Sequence, residues 1–239
     1  MIVFSIITVS NSVQAESDEC TVGRQAGKGY FFVGSGTLDI DKLNSRLAGK
    51  GYPKFSDSFL TVGGGGHGIV NRFIIGGEGM AFVTEDRETI ISGKTYKNSL
   101  TGGCGFFDIG YSAYSHRGLS IYPILGIGGG GFSLNITDRS APNFDDILSA
   151  PARSSHLSSA SFLLSISVGA DYLLNFEQRP DRTGGLILGL RVGYIFAPVT
   201  GNWSIDNIEV FGGPKTGMNG LFFHFMIGGG GSEPRHQKD

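Results

Sequence analysis

The side chains with the greatest chemical capacity are few and scattered. His67, Glu78, Asp108, Asp171, Arg191 and His224 each stand in a stretch otherwise made of glycine, serine and large apolar residues. Imidazoles and carboxylates are the groups from which metal sites and general acid–base pairs are built. Their spacing argues against both uses. No H-x-x-x-H or C-x-x-C pattern occurs. The expectation is a structural one, with no catalytic residue, no metal ligand and no cofactor site. The six groups should line an interior and pair with one another, because an isolated buried charge is very costly. Arg191 is the natural partner for one or two of the carboxylates. Removing one member of such a buried pair costs on the order of 3–5 kcal/mol.

A nucleophilic hydrolase would need a serine, a histidine base and an orienting carboxylate within reach of one another. The remaining histidines offer little. His116 falls in a short turn, and His156 lies among Ser154, Ser155, Ser158 and Ser159 in a serine-rich stretch that reads as a solvated loop. No G-x-S-x-G elbow is present. The runs Gly63–Gly66, Gly128–Gly131 and Gly228–Gly231 lack the Lys-Ser/Thr that follows a phosphate-binding loop. They read instead as bends and close backbone approaches in a tightly curved sheet.

Eight stretches alternate or run apolar at strand length: Lys28–Leu38, Phe59–Val70, Phe73–Thr84, Leu100–Ser115, Leu119–Asn135, Ser161–Phe176, Gly185–Pro198 and Met218–Gly230. Three connections are short, around Asn71-Arg72, His116–Gly118 and Glu177–Thr183. Four are long: Asp39–Ser58, Glu85–Ser99, Ile136–Ala160 and Val199–Gly217. Long and short connections alternate strictly, so all long ones fall at one end. That asymmetry belongs to membrane barrels, with short turns inside and long loops outside.

The alternation also assigns faces. Phe162, Leu164, Ile166, Val168, Ala170 and Tyr172 form an apolar row opposite Ser165, Ser167, Gly169 and Asp171. Leu188 lies near the middle of a similar row, so arginine there should block assembly, while Gly189 faces the interior. Glycine numbers 40 of 239 residues, aromatics reach 11%, and charged residues are 17%, below the usual quarter. Lipid-facing positions that must be apolar, and crowded positions that must be small, produce this composition. A net charge of −2 gives no nucleic-acid signature.

Outside the strands, Ile40, Leu43 and Leu47 share one face of a short helix in the first long loop. Asp39 or Asp41 is its expected cap, and Gly49 and Gly51 are its stop. Such a helix either lids the barrel end or binds a partner. Residues 1–15 read as a secretory signal ending Val13-Gln14-Ala15, although no Lys or Arg precedes the apolar run. Cys20 and Cys104 should lie at opposite ends of the barrel and remain unbridged.

The fold class expected is therefore an all-β, eight-stranded antiparallel up-and-down transmembrane β-barrel. Its parts are a periplasmic segment at 16–27, the barrel at 28–230 and a polar tail at 231–239. This architecture resembles the small eight-stranded outer-membrane barrel proteins, the OmpA- and OmpX-like group. Gly76-Gly77-Glu78-Gly79 and Leu221-Phe222-Phe223-His224-Phe225 are similar to their glycine–aromatic strands. The resemblance departs at the last strand, which runs into glycines and a polar tail rather than ending on an aromatic residue. It implies a monomer in the bacterial outer membrane, in contact with its lipid, with a structural or surface-interaction role through the long loops and a surface ligand or protein as partner. Three alternatives stand beside it: a small-solute channel, a lipid-modifying enzyme, and a soluble lipocalin-like carrier, whose apolar rows would point inward.

Overall fold

A strand exposes a line of N–H and C=O groups on each edge, and hydrocarbon offers nothing to pair them. Here no wall edge is left open. In the computed structural model, which describes residues 24–149, 153–179 and 182–234, the strands are β1 (Arg24–Thr37), β2 (Ser58–Val70), β3 (Phe73–Val83), β4 (Arg87–Ile91), β5 (Lys94–Tyr111), β6 (Tyr114–His116), β7 (Leu119–Asp138), β8 (Ser154–Arg179), β9 (Arg182–Thr200), β10 (Ser204–Ile205), β11 (Ile208–Glu209) and β12 (Gly220–Pro234). Two helices accompany them, α1 (Asp41–Ala48) and α2 (Phe144–Ser149). The wall is β1-β2-β3-β5-β7-β8-β9-β12, all antiparallel, and β12 closes on β1. The expected signal segment and Cys20 lie outside the described residues, as do Pro180 and Asp181.

Register fixes the barrel's shape. The ladder path Ala26–Ile69–Ile74–Gly110–Ile124–Ser167–Gly193–Phe222 returns to β1 at Gly36, ten residues above its start (36 − 26). With eight strands, a stagger of that size tilts them by roughly 40° to the axis.

Two of the short turns are two-residue hairpins with both central residues at positive φ: Asn71-Arg72 (49° and 75°) and Arg117-Gly118 (49° and 87°). This turn type matches the twist of the flanking strands. His116, expected in a turn, pairs with Leu119 instead. The pairing extends four residues beyond each expected limit of the barrel, to Arg24 and Pro234. Gly229–Gly231 joins the ladder through backbone alone and so carries no side-chain period that would announce a strand.

The long connections, read in the sequence as loops apart from one short helix, carry further secondary structure. β4 and the first residues of β5 make a hairpin about Ser92-Gly93, and β10 and β11 make another about Asp206-Asn207. β7 and β8 pair as far out as Thr137 and Ser154. The serine-rich stretch with His156 is therefore strand, not loop. Strands standing beyond the membrane are wet on both faces, so they lose the alternation by which strands are recognised. Asp138 ties three outer pieces together. Its carboxylate takes the Ser140 N–H at 2.9 Å and lies 3.6 Å from both Lys94 and Arg153. The Ser140 hydrogen bonds, then the two cations, hold this carboxyl below the usual range.

Helix α1 lids the mouth at the long-connection end. Ile40, Leu43 and Leu47 are buried beside Phe55 and Phe59 in the main apolar cluster, which leaves no apolar helix face for a partner. The N-cap is Ile40, without a side-chain capping bond, so neither Asp39 nor Asp41 plays the expected role. Burial of Ile40 fixes the helix start instead. Asn44 fastens the returning chain, donating to the Phe55 carbonyl at 3.0 Å and accepting the Phe55 N–H at 2.9 Å.

The outward rows are apolar around the wall. Phe31, Ile75, Phe107, Leu125, Ile166, Val192 and Phe223 are all exposed. One sector is bare: Gly64, Gly79, Gly105 and Gly129 are successive ladder partners on the outward face. A Cβ on Gly79, Gly105 or Gly129 would meet nothing nearer than 3.6 Å, so the barrel's own packing does not require glycine there.

Leu188 is not the middle of its row. It pairs with Tyr172 near the turn end, whereas Val192, between Val168 and Phe223, lies close to the midpoint of β9. The cost of a lipid-facing arginine depends on depth, at about 2–4 kcal/mol in the midplane and about 0–1 near the interface. Val192→Arg is accordingly expected to prevent assembly into lipid vesicles, and Leu188→Arg to be tolerated, as read by heat-modifiable gel mobility. Equal tolerance of both would contradict this placement of the membrane.

Candidate functional site

The inward rows divide the interior into two storeys. Toward the turn end they supply polar groups from β1, β2, β3, β5, β7, β8 and β9. Glu78 on β3 pairs with Arg191 on β9, both nearly inaccessible. Tyr30 of β1 bridges them, donating to Glu78 Oε2 at 3.0 Å and accepting from the Arg191 guanidinium at 3.2 Å. His67 Nε2 lies 3.0 Å from Asp108 Oδ2 and 3.3 Å from the Tyr30 hydroxyl. On the same level Lys28 pairs with Asp171, which also accepts from the Tyr122 hydroxyl at 2.8 Å. The Lys28 ammonium sits 3.8 Å from the centre of the Tyr122 ring, a cation–π contact.

Above this layer the interior turns apolar. Phe32, Met80, Phe82, Phe106, Phe132 and Leu163 fill it up to the α1 lid. The space left among Thr61, Phe82, Ile195 and Phe222 is about 10 Å³, no more than one water needs.

Five of the six residues singled out in the sequence meet in the polar storey. The sixth, His224, does not join them. Its ring is sandwiched between Phe32 (4.2 Å between centres) and Phe222 (4.6 Å), and neither ring nitrogen has a partner. Among the described residues Arg191 pairs with one carboxylate, Glu78, and Lys28 pairs with Asp171.

Sequence reasoning missed Lys28, Tyr30 and Tyr122. In β1, large residues stand on both faces (Tyr30 and Phe32 inward, Phe31 and Val33 outward), so hydropathy shows no alternation. Tyr122 is hidden between Ile121 and Pro123. The signal that would have found them is glycine on the neighbouring strand. Tyr30 is the ladder partner of Gly65, Tyr122 of Gly169, His67 of Gly76 and Asp108 of Gly126. A Cβ at Gly65 would come within 2.9 Å of the Tyr30 hydroxyl, and one at Gly169 within 2.5 Å of the Tyr122 ring. These inward glycines make room for the bulky residue beside them, and in the runs a Cβ at Gly63, Gly128 or Gly228 would lie within 2.2 Å of a carbonyl oxygen across the ladder, the close backbone approach expected of them.

No group of three or more His, Cys, Asp or Glu side chains converges for a metal among the described residues. Nor is there space for a substrate beside the His67–Asp108 pair. At the long-connection end of the wall, Ser158 meets Ser204 at 3.2 Å, Ser154 meets Thr137 at 3.1 Å, Ser159 donates to the Gly201 carbonyl at 3.3 Å, and His156 is hydrogen-bonded to Asn135. These side chains knit strands together. Cys104 is a free, buried thiol in the apolar storey.

Two outcomes follow from this geometry. Glu78→Ala strands the Arg191 charge and is expected to destabilise the barrel by about 3–5 kcal/mol, while pairing it with Arg191→Met recovers much of the loss. His224→Phe exchanges an unpaired imidazole for a ring of similar shape and is expected to be neutral or stabilising. Urea unfolding of the reconstituted variants measures both. A double variant no better than Glu78→Ala would sink the ion-pair account.

No protein-family model and no curated protein matches the sequence. Among solved structures, the chain is similar to Ail, the attachment invasion locus protein of Yersinia pestis. The match covers 88% of this chain and 98% of that one at 12% identity, with a TM-score of 0.36. The closed eight-stranded antiparallel architecture rests on this chain's own ladders.

Proposed function

We propose that this protein is an outer-membrane β-barrel that serves as a closed scaffold, presenting a folded surface at its long-loop end for interaction. The observation that carries the reading is the inverted distribution of polarity: exposed apolar side chains around the wall, and charges sealed within it. A soluble carrier requires the opposite arrangement. Export on residues 1–15, a monomeric state and contact with outer-membrane lipid belong to the same reading.

The filled interior argues against the channel. Both storeys are packed, and α1 covers the outer mouth. The reading assigns no catalysis, since the His67–Asp108 pair is sealed from solvent and lipid alike. What remains available to a partner is the outer surface. It carries exposed apolar side chains well outside the lipid-facing rows, among them Ile90 on β4, Phe144 and Leu148 on α2, and Ile208 and Phe211 near β11. Binding residues concentrate on connections held by a rigid scaffold.

Fractionation of the producing cell and planar-bilayer recording of the purified protein test this. Recovery in the outer membrane, a mobility shift on boiling and no steady conductance are expected. Discrete single-channel steps would replace the scaffold by a pore. Recovery as a soluble periplasmic protein would remove the membrane reading altogether.

A further inference from the structure

The connection between β9 and β12 forms an open cavity of about 280 Å³, lined by Asn202, Trp203, Glu209, Phe211, Gly213 and Lys215 among others. We infer that this cavity is a carbohydrate site, taking one uncharged pyranose ring. The inference deepens the surface-interaction reading and rests on it for the direction in which the cavity faces.

The connection is built to hold its shape. The Trp203 indole N–H donates to the Pro214 carbonyl at 2.7 Å, and the Val210 N–H donates to the Trp203 carbonyl at 2.7 Å. β10 anchors the piece to the wall through Ser204 and Ser158. Gly213 lies against the indole so closely that a Cβ there would be 2.6 Å from it. A loop ordered before binding loses little further freedom when a ligand arrives.

Size and chemistry then select the ligand. The volume falls just below the roughly 300–1,000 Å³ of pockets for drug-sized molecules, which suits a single ring. One carboxylate and one ammonium leave the lining without net charge, so neither an anion nor a cation is favoured as a whole. Asn202 Nδ2 donates to Glu209 Oε1 at 2.6 Å. That bond orients two planar groups and leaves the other carboxylate oxygen and the Asn202 carbonyl free to accept. Lys215 supplies donors. Hydroxyl groups, which donate and accept, satisfy both kinds of partner. At the rim the Phe211 ring is 88% exposed, an apolar face unspent on the protein's own packing. The C–H face of a pyranose covers it while the hydroxyls reach inward.

Trp203 is the chain's one tryptophan, so intrinsic emission of the full-length protein in detergent micelles reports on this cavity directly. The probes are galactose, glucose and N-acetylglucosamine at millimolar concentration, the core oligosaccharide released from the producing cell's own lipopolysaccharide, and phosphorylethanolamine. A saturable emission change with a sugar is expected. Glu209→Gln and Phe211→Ala should each weaken it by about tenfold or more, and Ile90→Ala on β4 should leave it unchanged. Glu209→Gln keeps an oxygen for Asn202, and Phe211→Ala removes an exposed ring, so heat-modifiable mobility should stay normal in both. Saturation by the core oligosaccharide identifies a partner in the cell's own envelope. Saturation by the simple sugars without it identifies a foreign glycan. No saturable response to any sugar, or a response to phosphorylethanolamine alone, overturns the assignment. The titration is independent of cell location, so a failed fractionation would remove the outward direction while leaving this result to stand or fall by itself.

Discussion

The pairing of β12 with β1 is the constraint from which the rest of the molecule follows. An open edge in hydrocarbon would leave a row of peptide groups without partners, each costing several kcal/mol. Closure removes the edge and fixes a small, strongly tilted cylinder. The cylinder then dictates polarity, because its outside meets lipid and its inside is too narrow for bulk water. A side chain that carries charge on an inward row must find a partner among the other inward rows. The linked side chains of Lys28, Asp171 and Tyr122, and of Arg191, Glu78, Tyr30, His67 and Asp108, are the answer to that requirement.

Glycine makes the answer fit. Eight strands enclose a space just wide enough for side chains to fill, and this interior holds tyrosines, phenylalanines and an arginine. It accommodates them by setting glycine directly across the ladder from bulk, as at Tyr30 and Gly65 or Tyr122 and Gly169. The wall and its filling are thus specified together, and the high glycine content is the complement of the large inward residues.

Strand number, order and facing were legible in the sequence wherever one face met lipid and the other did not. In β8 the alternation from Phe162 to Tyr172 matches the observed exposure position by position. Legibility ended where the two faces stopped differing. Beyond the membrane, Lys94–Lys97 and Ser154–Ser158 are at least partly exposed on both sides and read as loop. In β1, Tyr30, Phe31, Phe32 and Val33 are large on both sides, so Lys28 and Tyr30 went unseen as interior residues. The polar storey was half legible for a related reason. Charged residues among glycines stand out, as Glu78 and Arg191 do, but pairing across the lumen depends on stagger. Ten residues of shear separate the possible partners, and no local pattern encodes that offset. His224 shows the limit most plainly, since only the positions of Phe32 and Phe222 turn a polar residue into part of an aromatic stack.

The outward glycines Gly64, Gly79, Gly105 and Gly129 have a consequence for the protein as its neighbours meet it. At the level of these four glycines β2, β3, β5 and β7 present naked main chain, flanked by Phe31 beside Gly64 and Phe162 beside Gly129. At that level the cross-section is eccentric: the cylinder of backbone sits off the centre of its own silhouette, with a padded flank and a shaved one. Lipid packs closer to the axis on the shaved flank, so rotation about the membrane normal does not leave the surrounding bilayer unchanged. The barrel has a front and a back.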